Sequence, residues 1–559
     1  MAGIRTVSAR LTRGAAALNS ISRSLTDAPI PSSFWLLLLA AVVTGAVLRL
    51  WDITGVPPGL QQDEAVYGVD AFSIFKTGRD HLGHPFPFVS LENFGDWSSP
   101  LLTFICVPFV GIFGLNVEVI RVVTAMMGLL AIPAVFGLAV LLFQRPAAGV
   151  VAAWLIALSP FHVHLSRWAV IPSLVPTMVA LTLLVFIWAM RNRNERAFVL
   201  AAFIACLTMA TYHSMKLYVP LALLPAFLIY HRTILVLKLE ALLYAALVFA
   251  ALAGPIMWLT LRDPAGGARF AQTSVFEQAD GHIGTVIEQY ASFFSPGFWL
   301  TRGSNDLMQV PSGGVELWFV VPLILVGLGW LALHIVRSTD TWLRSSALLI
   351  FALVVLYPVP GSLTVPAPDA LRGAHVITLA ALLGSAGAVA LYEFLSALLA
   401  SRERNFRLGA GALVVAVFAL GLGYDLQHRF VHYFGAYSEE VESNFHYGLK
   451  DALDYAFQHE DAYDEVWVLP DVHNPYIYVL FYKRWSPDDV HSNLVLTRDP
   501  PEWNVVHSIG KYRFDEPTGF SLRDLTPVTS SRYSDGRPAY DVLEGTVNSK
   551  RLLVVHRSP

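Results

Sequence analysis

Runs of about eighteen or more apolar residues recur along the first 425 positions, and no other feature restricts the fold so strongly. A backbone inside a bilayer must satisfy its own hydrogen bonds. Each run therefore reads as a helix, and the chain as an α-helical polytopic membrane protein. Composition agrees: 55% of the 559 residues are hydrophobic and 14% are charged, against roughly 25% charged in soluble domains. The first span is read at about Ser33 to Leu50. Others follow near 120–143, 147–163, 172–190, 197–213, 217–231, 239–261, 314–336, 344–360, 374–399 and 408–424.

Charge placement sets the expected orientation. Basic groups sit at Arg145, along Arg191 to Arg196, at Arg232 with Lys238, at Arg337 with Arg344, and along Arg402 to Arg407, which is every second connection. The positive-inside rule puts these connections in the cytoplasm with the N-terminus. Residues 1–32 carry Arg5, Arg10, Arg13 and Arg23 and no acidic residue before Asp27. No small-residue cleavage site precedes Arg49, so the first span reads as uncleaved. The parity holds only if 100–118, short and interrupted by Pro and Gly, is re-entrant or juxtamembrane rather than a crossing. About eleven transmembrane helices result, in a plasma (inner) membrane. The 51–118 loop, the 262–313 loop and the C-terminus then face outward, so polar groups gather on one side.

The expected organisation is a cytoplasmic segment over 1–32, a transmembrane domain over 33–424 and a soluble extracytoplasmic α/β domain over 425–559. In the last, the apolar bursts at 466–469, 477–480, 505–506 and 552–555 read as strands and 437–458 as a helix. Cys106 and Cys206 both lie in apolar stretches and suggest neither a disulfide nor a metal cluster. The formal net charge of −4 decides little, and no nucleic-acid partner is expected.

Chemistry concentrates between Trp51 and Pro100, a loop of about fifty residues, too long for a plain connection. It holds Gln61, Gln62, Asp63, Glu64, Lys76, Arg79, Asp80, Glu92 and Asp96, with helical spacing through Val66, Tyr67, Asp70, Ala71, Ile74 and Phe75. Asp63-Glu64 heads that helix. One carboxylate there would take the proton of an acceptor hydroxyl attacking a sugar's anomeric carbon; equally, an acidic pair suits capping and the helix dipole. Tyr67, one turn on, would pack on a sugar ring or serve as a core tyrosine. Asp96 would orient the acceptor, hold a divalent cation (Mg or Mn) together with Asp63, or cap the helix starting near Pro100.

Four cations, Arg121, Arg167, Lys216 and Arg372, fall at outward ends of spans. Each either snorkels to the interface or holds the phosphate of a lipid as a leaving group. His162 and His164 are two apart, so they do not share a helix face and make a poor metal pair; His213 lies nearby. Arg269 and the stretch from Glu277 to His282 are further candidates to line the site.

The run GLQQDEAVYGVDAFSIFKTGRDHLGHPFPF, followed by GDWSSPLLTFICVPFVGIFGLNVEVIRVV, resembles the start of the protein O-mannosyltransferase and aminoarabinose (lipid A) transferase superfamily, C-type glycosyltransferases that use polyprenyl-phosphate sugars. The likeness covers 33–230 and continues weakly to about residue 400 through SPGFWLTRGSNDLMQVPSGG and PAPDALRGAHVITLAALLGSAG. It implies an inverting transfer on the outer face with Asp63 as base, and a structural or site-supporting role for Arg121. Lys216 falls where the family often has a phosphate-binding lysine, and Arg372 where relatives place an arginine. Many relatives carry a second acidic residue after the Ser-Arg element. SRWAVIPSL has none, which puts a two-carboxylate metal site in doubt. The Trp-Trp-Asp motif of oligosaccharyltransferase catalytic subunits is absent from the sequence.

The expected activity is therefore transfer of a monosaccharide from a polyprenyl-phosphate donor to a hydroxyl on a protein, glycolipid or cell-wall glycan. The rival readings are a lipid or solute transporter or flippase, and an inactive relative. A transporter would show ionisable residues at mid-membrane and internal pseudosymmetry; here acidic residues are almost absent from span centres.

Overall fold

The computed structural model describes residues 29–262, 273–278, 283–304, 306–311, 313–498 and 504–558. Arg269, the 279–282 part of the second loop and the N-terminal arginines lie outside these residues. The helices run α1 (Ser32–Leu50), α2 (Gln62–Thr77), α3 (Leu101–Phe113), α4 (Val117–Phe143), α5 (Pro146–Leu158), α6 (Pro160–Arg167), α7 (Val175–Asn192), α8 (Glu195–Met209), α9 (His213–Ile234), α10 (Leu239–Arg262), α11 (Ile283–Ser292), α12 (Val320–Arg337), α13 (Thr341–Leu356), α14 (Val376–Leu399), α15 (Arg404–Phe434), α16 (Leu449–His459) and α17 (Pro475–Lys483), with shorter turns between.

Among the described residues, nine helices are long and apolar enough to cross a membrane, or ten if the bent pair α5 and α6 counts as one span. Each of the eleven expected positions contains a helix, though the one expected from 314 starts only at Val320. The 147–163 span is broken, with a bend of 58°. The cause is Ser159-Pro160: a residue before proline avoids the α region, and Ser159 Oγ accepts from His162 N to start a new helix. The span expected at 197–213 is α8, only 15 residues long. Helix α3, 13 residues, is shorter than a crossing requires. The last span runs to Phe434, ten residues beyond the expected end at 424, because Asp425 and Arg429 pair one turn apart at 3.1 Å and are buried.

Beyond α15 a seven-stranded sheet forms in the order β4-β5-β6-β3-β9-β8-β7, from β3 (Glu465–Val468), β4 (Leu494–Thr497), β5 (Val505–Ile509), β6 (Tyr512–Arg513), β7 (Thr526–Arg532), β8 (Pro538–Val547) and β9 (Lys550–Arg557). Strand β3 is parallel to β6 and β9, and the other pairs are antiparallel. The burst Ile477–Leu480, expected as a strand, lies in helix α17. A short apolar run buried all round has no diagnostic period, and Asn474-Pro475, with proline at the first helical position, is a helix-start signal. The helix expected over 437–458 is α16 from Leu449 onward, after a short turn of helix at Ala436–Glu440.

Three apolar clusters hold these parts, a small one around Leu469, Leu543 and Val554 of the sheet domain and two large ones. The first large one fills the helix bundle. The second joins Leu60, Val66 and Tyr67 around α2, Cys106 and Val110 of α3, and Leu453, Val466, Ile477, Phe481 and Val555 of the sheet and its helices. The C-terminal domain thus packs on the polar loop, with α17 against α2. The segment before α16 approaches the loop closely at Gly59, which has φ +64°: a Cβ there would stand 2.2 Å from the carbonyl oxygen of Phe445, to which Leu60 N donates at 2.7 Å. Only glycine combines that φ with that contact.

Candidate functional site

Helix α2 starts with a capping box that separates the roles of its two carboxylates. Gln61 Oε1 accepts from Asp63 N at 2.6 Å, and Gln61 N donates to Glu64 Oε2 at 3.2 Å. Glu64 is fully buried and also accepts from Arg121 Nε and Nη2, both at 2.8 Å, and from Ala169 N at 3.1 Å. The other Arg121 donors go to the carbonyls of Ile53, Pro57 and Gly59. Arg167 likewise donates to the carbonyls of Leu48, Trp51, Asp52 and Val56.

Of the alternatives that the sequence leaves open, these contacts favour the structural one for all three residues, against a reacting Glu64 and a phosphate-binding Arg121 and Arg167. Glu64 is the cap and the ion-pair partner of Arg121. Arg121 and Arg167 fold the 48–59 chain beneath α2, and their fully buried guanidinium groups line neither cavity described below.

Asp63, half-buried, instead lines a polar cavity of about 240 Å³ with Gln62, Tyr67, Asn93, Asp96, Trp168, Tyr212, His213, Gln309, Asp369 and Arg372. Asp96 reaches it on a hairpin that the sequence reading missed. Strands β1 (Leu91–Asn93) and β2 (Asp96–Ser98) are joined by Phe94-Gly95, with φ 58° and 91°. Two positive-φ residues make the tight turn whose twist suits a hairpin; the Phe-Gly dipeptide was the available signal. Asp96 opens β2, and its Oδ1 accepts from Trp97 N, so it does not cap α3.

A groove of about 430 Å³ adjoins the polar cavity. Its walls include Leu217, Met257, Leu261 and Leu363, with Lys216 and Thr364, and it shares Tyr212, His213 and Arg372 with the cavity. Arg372 Nη1 donates to Thr364 Oγ1 and the Pro366 carbonyl, and Nη2 to the Val365 carbonyl. Three of its five N–H donors are thereby used. Lys216 lies within electrostatic reach of Asp96. Of the predicted site residues, the structure therefore brings Asp63, Tyr67, Asp96 and Arg372 to one cavity, with Lys216 in the adjoining groove. His213 lines both. His162 contacts Arg49 Nη2, and His164 Nε2 the Met308 carbonyl, as buried packing groups. A larger apolar cavity of about 650 Å³ between α7, α8, α9 and α10 has no charged lining residue.

Among the described residues no three His, Cys, Asp or Glu side chains converge to hold a metal. Mg²⁺ is commonly held by one or two carboxylates plus substrate phosphate, a donor set that Asp63 and Asp96 would fit.

The sheet side reaches the site through Asn474, whose Nδ2 donates to Gln62 Oε1 at 2.9 Å. It also clasps the hairpin. His84 Nδ1 bonds Asp80 at 2.9 Å, and His84 Nε2 lies 3.4 Å from Glu92. Glu92 in turn accepts from Asn504 Nδ2 at 2.7 Å and pairs with Arg498. His491 Nε2 contacts the Asp80 carbonyl. The hydrogen bond to Asp80 raises the His84 pKa; partial burial and Arg498 oppose it, and the charges of Asp80 and Glu92 add to it. A raised histidine pKa stabilises the fold fully below the unfolded value of 6.5 and loses that contribution as pH rises through the folded value. Backbone amides of 79–90 should therefore exchange hydrogen faster in mildly alkaline than in slightly acid buffer, after correction for intrinsic rates. His84→Gln should remove most of that difference; an unchanged pH dependence in the variant would disprove it.

Comparison with known proteins agrees with this architecture. Residues 98–258 match the family of dolichyl-phosphate-mannose-protein mannosyltransferases. No curated protein sequence matches the chain. Among solved structures, the oligosaccharyltransferase of Archaeoglobus fulgidus tethered to an acceptor peptide aligns with TM-score 0.51 and 14% identity over 80% of this chain and 63% of that one. The oligosaccharyltransferase AglB of Archaeoglobus fulgidus in complex with an inhibitory peptide and a dolichol-phosphate gives the same values. The chain thus spans about 63% of the length of these proteins. ArnT of Cupriavidus metallidurans bound to undecaprenyl phosphate aligns with TM-score 0.48 and 14% identity over 81% of this chain and 85% of that one. The fold is like that of the Archaeoglobus fulgidus oligosaccharyltransferase, and here it carries a C-terminal sheet.

Proposed function

We propose that this chain is a membrane glycosyltransferase that moves a single sugar from a polyprenyl-phosphate donor to an acceptor hydroxyl, with inversion. The observation that carries the reading is the junction of a polar, carboxylate-lined cavity with an apolar groove at Arg372. An amphiphile with a hydrocarbon tail, a phosphate and a sugar has the same polarity sequence. The tail lies along Leu217, Met257 and Leu261, the phosphate against Arg372 and Lys216, and the sugar in the polar cavity. At about 240 Å³ that cavity falls below the ~300–1,000 Å³ of sites for drug-sized ligands, which suits one sugar ring.

Asp63 then accepts the proton of the acceptor hydroxyl as its oxygen attacks the anomeric carbon. The carbon–oxygen bond to phosphate breaks, and its electron pair leaves on the polyprenyl phosphate. The two N–H groups of Arg372 without a partner among the described residues, with the Lys216 ammonium, stabilise that departing charge. Tyr67 supplies an apolar wall for the ring, and Asp96 orients the acceptor. A divalent cation held by Asp63 and Asp96, when bound, would neutralise phosphate charge. The site faces outward by the charge rule, and the acceptor is a protein, glycolipid or cell-wall glycan. The C-terminal domain meets the site where Asn474, at the start of α17, bonds Gln62.

The test is a panel of radiolabelled polyprenyl-phosphate sugars given to the purified protein in liposomes with membrane extract as acceptor. Label leaving the lipid for an acceptor supports the reading, and label retained on every donor refutes it. Lys216→Met and Arg372→Gln should each lower kcat/KM for the donor by about 10–100-fold, the worth of a charge-assisted contact. Values equal to the parent's would remove the phosphate from this junction.

A further inference from the structure

Opposite Asp63, the polar cavity carries two residues that the mechanism leaves unused. Asp369 is only 6% exposed. Its Oδ1 accepts from the backbone N–H of Arg372 at 2.9 Å, and its Oδ2 accepts from Gln309 Nε2 at 3.2 Å. The second bond fixes the amide orientation: the NH₂ faces the carboxylate, and Oε1 is the atom left to accept. That oxygen is shielded from solvent and has no hydrogen-bond partner among the described residues. The segment is held in place, because the neighbouring Met308 carbonyl accepts from His164 Nε2 at 2.7 Å, and Met308 N donates to Asp306. A buried acceptor left unpaired is costly, and a rigid one lining a cavity is expected to have an occupant that donates to it.

Resting on the glycosyl-transfer reading, we propose that Gln309 and Asp369 form the subsite that selects the donor sugar, and that this sugar is neutral and presents a vicinal diol to them. Two adjacent acceptors, one amide oxygen and one carboxylate, match two adjacent O–H donors. The pair belongs to the donor rather than the acceptor because Asp369 is hydrogen-bonded to the backbone of Arg372, the residue at the phosphate. A uronic acid is repelled by Asp369. An amino sugar would set its ammonium beside the Arg372 guanidinium, which shares the cavity with Asp369. Gln309 and Asp369 act as positioning and specificity residues, since neither touches the atoms that exchange bonds.

The experiment compares wild type and Gln309→Leu on polyprenyl-phosphate donors bearing a neutral sugar, each of its monodeoxy analogues, an amino sugar and a uronic acid, with kcat and KM measured separately. The wild type should prefer the neutral sugar and lose about 10–100-fold in kcat/KM on one particular monodeoxy donor. Gln309→Leu should lose a similar factor on the parent sugar and cease to distinguish it from that analogue. Gln309→Met, closer in shape, should behave alike, and thermal melting of both variants separates this from misfolding. Undiminished discrimination in folded variants, or a preference for the amino sugar, overturns the subsite while leaving transfer intact. Failure of every donor overturns the transfer reading and the subsite with it.

Discussion

Asp63→Asn should lower turnover by about 10²–10⁴-fold, the range for loss of a general base, with the protein still folded. The amide keeps the carboxylate's shape, and the bond from Asp63 N to Gln61 that starts the helix is a backbone contact, untouched by the change. Donor KM should stay nearly constant, because the lost interaction belongs to the transition state. Asp63 is the carboxylate of the pair that faces the cavity, whereas Glu64 is fully committed to Arg121, Ala169 N and Gln61 N. Glu64→Gln should therefore act mainly on stability. Equal loss of turnover from both substitutions, at equal protein levels, would contradict this division of roles.

The largest effect on folding should come from Arg121→Met. It leaves a fully buried Glu64 carboxylate without its counter-ion and three loop carbonyls without their donor. Breaking one side of a buried pair costs about 3–5 kcal/mol, a large part of the roughly 5–15 kcal/mol that holds an ordinary domain together. Melting in detergent should shift strongly downward, and the yield of monodisperse protein should fall. Adding Glu64→Gln to Arg121→Met should recover part of the loss, since the stranded charge disappears. A single variant that melts like the parent would mean that the pair contributes little and that Arg121 is free to serve the substrate.

The sequence shows some of this plainly and hides the rest for physical reasons. Apolar period and length locate the helices, since a bilayer admits few alternatives. The start of α2 is legible because its capping box is local, from Gln61 to Glu64. The division of labour between Asp63 and Glu64 is not legible, because it depends on Arg121, 57 positions away. Arg167 reads as an interfacial or phosphate-binding cation; its partners are backbone carbonyls, which leave no mark in a sequence. The hairpin that presents Asp96 was signalled only by Phe94-Gly95. Helix α17 reads as a strand because four apolar residues carry no period. Gln309 and Asp369 lie in irregular segments, where nothing but the fold brings them together.

The most direct measurement follows the anomeric carbon itself. A polyprenyl-phosphate sugar of defined anomeric configuration, labelled with ¹³C at C1, is incubated with membranes containing the protein, and the products are examined by NMR. The account predicts a new C1 signal on an acceptor oxygen, with configuration opposite to the donor and absent in Asp63→Asn membranes. A C1 signal that stays on phosphate, or one that moves with configuration retained, would contradict direct displacement assisted by Asp63.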